Sequence, residues 1–166
     1  MKRISQRIYP AIALLFLLIA FNARLKSEAP IDILKYAITA APGNQQVNRM
    51  PGTNPPRTYQ EQFTFTVTDP TGTDYKGTAP SCQTFDVEVI PIGGTNPPPA
   101  WVWSHGMAFC QMVTPVNIPA GKNWKKTVTW KFTTADVPDG KYRAIATFIP
   151  SGNKSATVDF EITSVQ

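Results

Sequence analysis

The chain has 166 residues, 42% hydrophobic and 11% aromatic, so it is long and apolar enough to bury a core, which excludes a disordered chain. Its formal net charge at pH 7 is +5, and that excess equals five cations near the amino terminus: Lys2, Arg3, Arg7, Arg24 and Lys26. The positive charge therefore indicates a targeting segment and not a nucleic-acid-binding protein.

The amino-terminal segment has the pattern of an export signal. Basic residues up to Arg7 precede an apolar run over residues 8–21. A helix over this run is about 20 Å long, shorter than the ~30 Å hydrocarbon core, and extending it to residues 8–25 comes closer to spanning. Two outcomes stay open: residues 1–29 are a cleaved signal peptide, or they persist as a membrane anchor. In both, the rest of the chain is expected outside the cytoplasm, whether secreted, periplasmic or on the surface.

Residues 30–58 are predicted to hold a first strand and a linker. The strand is expected over residues 31–39, with Ile31, Ile33 and Leu34 on its apolar side. Residues 41–57 contain three proline-bearing turn signals and are therefore assigned to a linker or a long surface loop.

From residue 59 onward, apolar and polar residues alternate as they do in β-strands with one wet face. The predicted strands cover residues 62–68, 85–89, 101–103, 116–118, 124–133, 142–148 and 156–162. Turn signals separate them, and each dry face has to pack against a second sheet. Residues 59–166 are therefore predicted to form an all-β, immunoglobulin-like antiparallel sandwich of about seven to nine strands.

Residues 101–112 combine two tryptophans, a phenylalanine, two methionines and a cysteine around one Ser-His-Gly turn. This composition is too apolar for an ordinary surface loop and too interrupted for a helix. We therefore expect two short strands, or a strand and a packed bend, that close over the core.

Four sequence blocks resemble the Bacillus-type intracellular proteinase inhibitor family (BsuPI). In chain order the matching residues are Ser81, Gln83, Phe85 and Asp86; Trp103, Ser104, Gly106, Met107, Phe109 and Gln111; Pro119, Gly121 and Trp130; Gly140 and Tyr142. The second block is the most specific. The resemblance implies an immunoglobulin-like sandwich and inhibition of subtilisin-type serine proteases. It assigns no inhibitory residue to a position here, and the export signal departs from the family's intracellular name.

Cys82 and Cys110 lie in two of these blocks, which the resembled fold would bring close together. Export favours their oxidation to a disulfide. Two buried free thiols are the alternative, since cysteine also packs well as a small apolar residue.

No other constellation points to catalysis. His105 follows Ser104, but adjacent residues on a strand face opposite ways and no acid is placed to orient the imidazole, so a turn histidine is expected. The acids lack ligand spacing, which leaves at most a structural Ca²⁺ in a turn. The tryptophans, assigned to the core and not to sugar binding, are Trp101, Trp103, Trp124 and Trp130. We predict no catalytic residue, metal or cofactor.

Two functions stay open. The first is an exported or anchored protein-binding module, with inhibition of a serine protease as its sharpest form. Its contact loop would be the stiff connection of Gly94, Thr95, Asn96, Pro97, Pro98 and Pro99. The second is a structural or assembly subunit of the cell envelope or surface that pairs through sheet edges. An enzyme is disfavoured because no acid–base group is evident.

Overall fold

The computed structural model describes residues 33–49 and 57–165. These residues form ten strands: β1 Lys35–Ala41, β2 Asn44–Asn48, β3 Thr58–Thr68, β4 Tyr75–Ala79, β5 Phe85–Pro91, β6 Trp101–Val102, β7 Thr114–Ile118, β8 Asn123–Thr133, β9 Gly140–Phe148 and β10 Lys154–Val165. The predicted all-β fold is confirmed. The predicted signal or anchor, residues 1–29, lies outside the described ranges. Within those ranges no helix has the length and apolar character needed to cross a bilayer.

The strands form two facing sheets and one small ladder. One sheet has the order β1-β3-β8 and the other β2-β10-β9-β5-β6, while β4 pairs with β7. The ladders are antiparallel, as predicted, with the exception of β2 and β10, which run parallel.

The core lies between the two large sheets, and strict alternation fills it. Phe63, Phe65 and Val67 of β3 point inward and are fully buried. The same holds for alternate residues of β5, β8 and β9, as their sequence predicts. Phe63 contacts Phe160 of the opposite sheet with ring centroids 5.5 Å apart. Full burial of each such side chain contributes about 1.5–3 kcal/mol, so this interface holds the sandwich together.

The connection from β8 to β9 crosses from one sheet to the other and is closed by Tyr142. Its ring is buried, and its hydroxyl donates a hydrogen bond of 2.7 Å to the carbonyl of Pro138. A tyrosine at a strand start that bonds backbone a few residues upstream is the tyrosine corner of immunoglobulin-like sandwiches. Burial raises the pKa of the Tyr142 phenol, which keeps the hydroxyl a donor to higher pH than in an exposed tyrosine.

Two strands were not predicted, and the face of a third was wrong. β2 lies inside residues 41–57, which were assigned to a linker, and β4 has only five residues with a central glycine. In the first strand, Ile33 is 52% exposed while Leu34 and Ile38 are buried. The inward phase therefore starts at Leu34, and the predicted place of Ile33 on the apolar side is wrong.

Arg49 explains why β2 is ordered although its sequence is mostly polar. Its guanidinium donates to the carbonyls of Thr134 and Val137 and pairs with Asp139 at 2.7 Å. Hydrogen bonds from Ser164 and Arg49 hold the pKa of Asp139 below its usual value. β2 is thus attached by polar contacts with residues distant in the sequence, which no local pattern reveals.

Candidate protein-binding site

The segment between β6 and β7 is anchored to the start of β5. We call residues 104–113 the disulfide loop, because Cys110 is joined to Cys82 by a disulfide with the two Cα atoms 5.3 Å apart. The Cys82 amide also donates a hydrogen bond of 3.1 Å to the Cys110 carbonyl. The loop is therefore tied to the preceding block by one covalent and one backbone contact.

Asp86 is the polar anchor of this loop. Its Oδ1 accepts hydrogen bonds from the backbone amides of Val87 at 2.8 Å and Ser104 at 3.2 Å. Its Oδ2 accepts from the Ser104 hydroxyl and from Nε2 of Gln83 at 3.1 Å. Charge-assisted bonds of this kind are stronger than neutral ones, so Asp86 fixes where the loop leaves β6.

Aromatic packing and a tight turn complete the anchor. The Trp103 ring stacks on Phe85 with centroids 4.2 Å apart, and Phe109 lies 6.0 Å from the same ring. The Met107 amide donates to the Ser104 carbonyl at 3.0 Å, closing a turn in which Gly106 has φ +77°. A residue with a Cβ is disfavoured at that φ, which explains the glycine.

Beyond this anchor, the disulfide loop is exposed and apolar. Met107, Met112 and Val113 are 48%, 67% and 68% exposed, and they are half of the six large apolar side chains exposed among the described residues. The expectation that residues 101–112 close over the core is therefore correct for Trp101 and Trp103, which pack against it, and Phe109 adds a ring contact with Trp103. It is wrong for the exposed residues 105–108 and 110–112, where the disulfide and backbone hydrogen bonds hold the chain.

The disulfide loop lies in a stretch of the sequence that has no charged side chains. Between Glu88 and Lys122 the chain contains no Asp, Glu, Lys or Arg, and His105 is the one ionisable imidazole there. His105 is exposed, and its amide donates to the Val102 carbonyl at 3.1 Å. It is a turn residue, as predicted.

The loop predicted to contact a partner lies at the other end of β5. Gly94, Thr95, Asn96, Pro97, Pro98 and Pro99 connect β5 to β6 and are exposed apart from a half-buried Pro97. Backbone hydrogen bonds flank this connection, from Ile92 to Lys141 and from Ala100 to Val89. It begins after Pro91, about 17 Å along the strand from Asp86 at ~3.3 Å per residue. The two loops are thus separate surfaces.

The remaining family-motif residues support the fold. Gly121 has φ +66° in the turn between β7 and β8, where the Lys122 amide donates to the Pro119 carbonyl at 2.9 Å. Trp130 is buried in the core, and Gly140 opens the strand that contains Tyr142. Ser81 accepts a hydrogen bond from the Gln83 amide, and Gln111 bonds the Phe109 carbonyl. The structure therefore brings the first two blocks together at the disulfide loop, while Trp130 and Tyr142 of the last two meet in the core with ring centroids 6.1 Å apart.

The other candidate chemistry is accounted for by the fold. Trp130 lies in the core, and Trp101, Trp103 and Trp124 pack against it. In the described part of the chain no three His, Cys, Asp or Glu side chains come together as metal ligands. The turn acid Asp69 is buried and accepts from the amides of Thr71 and Tyr75. Hydrogen bonds from Thr71 lower its pKa.

Sequence reasoning missed Met112 and Val113 as surface residues. Their apolar character resembled that of core residues. The signal that could have located them is Cys110, two residues before Met112, because a cross-link can order an exposed segment without burying it.

Comparisons with known proteins give one family and distant structural likenesses. The family described as "BsuPI: Intracellular proteinase inhibitor" matches residues 51–152. No curated protein matches the chain. A Listeria innocua β-glucosidase is similar at 12% identity and TM-score 0.37, over 81% of this chain and 17% of that one. The CARDB domain of a Pyrococcus furiosus protein, solved with two metal ions, is similar at 18% identity and TM-score 0.39, over 80% and 94%. Such low similarity carries no argument about activity.

Proposed function

This chain belongs to the BsuPI family of intracellular proteinase inhibitors, and from that membership we propose that its sandwich binds and inhibits a proteinase. The match to the family over residues 51–152 is the observation that carries the proposal. Inhibition requires binding and no catalytic group, which agrees with a chain whose sequence offers no acid–base constellation.

Two anchored loops support an inhibitor that acts through a loop, and the family resemblance extends the proposal to serine proteinases. A loop that is already rigid in the free protein loses little conformational entropy on binding, which raises affinity. Two exposed connections, residues 92–100 and residues 104–113, are anchored at both ends to β-strands. Either one is a candidate to enter a substrate cleft. The Gly94 to Pro99 connection is one of the two proposed contact surfaces.

We place this activity outside the cytoplasm. The disulfide between Cys82 and Cys110 supports an oxidising compartment, because cytosolic thiols are kept reduced. The sequence signal in residues 1–29 supports export, with a secreted or an anchored product as the two outcomes. We therefore propose a proteinase inhibitor that acts outside the cytoplasm, although the family is described as intracellular.

Inhibition is tested by titration of the purified full-length chain against a subtilisin-type and a trypsin-type proteinase with a chromogenic substrate. We expect stoichiometric slowing of at least one of them at micromolar inhibitor or below. A parallel pull-down with the same proteinase, blocked covalently at its serine, shows whether inhibition needs the open cleft. Unchanged hydrolysis by every proteinase, or simple digestion of the chain, contradicts the proposal.

A further inference from the structure

We propose that the disulfide loop, residues 104–113, is the surface that enters the proteinase, and that the proteinase has an apolar substrate pocket. This inference rests on the inhibition proposed above. It adds the contact segment, its anchoring side chains and the chemistry of the pocket that receives them.

The disulfide loop is already ordered in the free protein. The loop is fixed by the disulfide at Cys110, by the Asp86 carboxylate at Ser104 and by the Phe85–Trp103 stack. These contacts come from the residues just before and at the start of β5, a strand paired with β9 in the larger sheet. The loop is therefore ordered before a partner binds, and binding costs less conformational entropy.

Three apolar side chains of the disulfide loop are exposed to solvent. Met112 and Val113 are adjacent and each about two-thirds exposed, at 67% and 68%, and Met107 of the same loop is 48% exposed. Contiguous exposed apolar side chains on a soluble domain mark interaction surfaces. The flexible thioether of methionine adapts to pockets of irregular shape. We assign Met112 and Val113 as the anchors.

The disulfide loop contains no Asp, Glu, Lys or Arg. The absence of Asp, Glu, Lys and Arg between Glu88 and Lys122 leaves the loop with no cation for the acid-bearing pocket of a trypsin-type enzyme. An apolar pocket, such as that of a chymotrypsin-type enzyme, fits methionine and valine. For the same reason the inhibition constant should change little with salt, because long-range charge attraction contributes little.

The connection over residues 92–100 is the weaker candidate. It offers Ile92, 41% exposed, and otherwise glycine, threonine, asparagine, proline and alanine. Its flanking residues are held by two backbone hydrogen bonds, with no cross-link. Because it lies at the far end of β5, substitutions there serve as matched controls.

The experiment compares Met112→Asp and Val113→Asp with the control Ile92→Asp, each in the full-length chain, against a proteinase that the wild type inhibits. All three sites are exposed, so unfolding temperatures should stay near wild type. We expect each loop variant to raise the inhibition constant at least about tenfold, as loss of a binding hot spot does, and the control to change it less than about twofold. Met112→Leu should keep wild-type potency.

Three results would overturn the inference. Wild-type potency in both loop variants, or a loss confined to Ile92→Asp, removes the disulfide loop while inhibition itself stands. Inhibition of trypsin-type enzymes alone removes the apolar pocket. If Met112→Asp abolishes binding to phosphatidylcholine vesicles but leaves inhibition unchanged, the loop binds a membrane surface and not the proteinase. Failure of the wild type against every proteinase is distinct, since it removes the proposed function and this inference with it.

Discussion

Glu61 is a buried carboxylate on the inward face of β3, in phase with Phe63 and Phe65. It is 0% exposed, and its Oε1 accepts a hydrogen bond of 2.7 Å from the Gly43 amide. Its Oε2 and the Oε1 of Gln45 are buried without a hydrogen-bond partner among the described residues. Burial raises the pKa of Glu61, because the charged form is poorly solvated there.

This raised pKa gives a pH-dependent stability. In the folded state Glu61 keeps its proton to higher pH than in the unfolded chain, where the ordinary pKa is 4.5. The stability that Glu61 contributes is therefore complete below pH 4.5 and is lost as pH rises through the raised pKa. In Glu61→Gln the amide oxygen can still accept from Gly43, and the neutral amide nitrogen replaces the unpartnered Oε2. We expect the free energy of unfolding of this variant to lie about 1–2 kcal/mol above that of the wild type at pH 7 and to equal it at about pH 4.

Urea unfolding at the two pH values measures this difference. Glu61→Ala is the control, since it removes the acceptor for Gly43 as well and is expected to destabilise at both. A Glu61→Gln variant less stable than wild type at pH 7 would show that the carboxylate is ionised and well satisfied.

The disulfide belongs to the scale of elements, because it joins the segment before β5 to the loop before β7. The bond closes a span of 28 residues, and both cysteines are exposed. Replacing both in Cys82→Ser/Cys110→Ser should lower the free energy of unfolding by about 3–4 kcal/mol, through added chain entropy in the unfolded state. Residues 104–113 should also become the first site of limited proteolysis.

Denaturant unfolding and mass spectrometry of early fragments check both parts. Wild-type protein treated with reductant should shift toward the variant, whereas the reduced variant should not change further. Equal midpoints for the two proteins, or first cuts outside the disulfide loop, would contradict the assigned role of the bond.

The sequence predicts the strands that are stabilised by their own alternation of apolar and polar residues. It does not predict those that are stabilised by contacts with residues distant in the chain. β3, β8 and β9 were predicted in the correct phase, because each alternates apolar and polar residues over a long run. β2 was missed, since its one buried apolar residue is Val47 and its order comes from β10 and Arg49. The surface position of Met112 was missed for a similar reason: composition reports what a residue can bury and not whether a partner strand covers it.

At the scale of the whole molecule, the longest edge strand that the structure describes weighs against the assembly alternative. Among the described strands, β8 is an edge strand of 11 residues that pairs with β3. It carries exposed Lys125, Lys126 and Lys131, and lysines on an edge strand disfavour pairing with a second chain. Half of the six exposed large apolar side chains among the described residues lie instead in the disulfide loop, so an interaction through that loop fits the surface better than growth of a sheet from β8.

The central claim is that a cross-linked loop at one end of the sandwich binds a proteinase. Hydrogen–deuterium exchange of the full-length chain, alone and saturated with a proteinase that it inhibits, tests it most directly. If the disulfide loop enters the cleft, the complex lowers exchange over residues 104–113 and leaves residues 92–100 unchanged. Protection of residues 92–100 with an unaltered disulfide loop would contradict it.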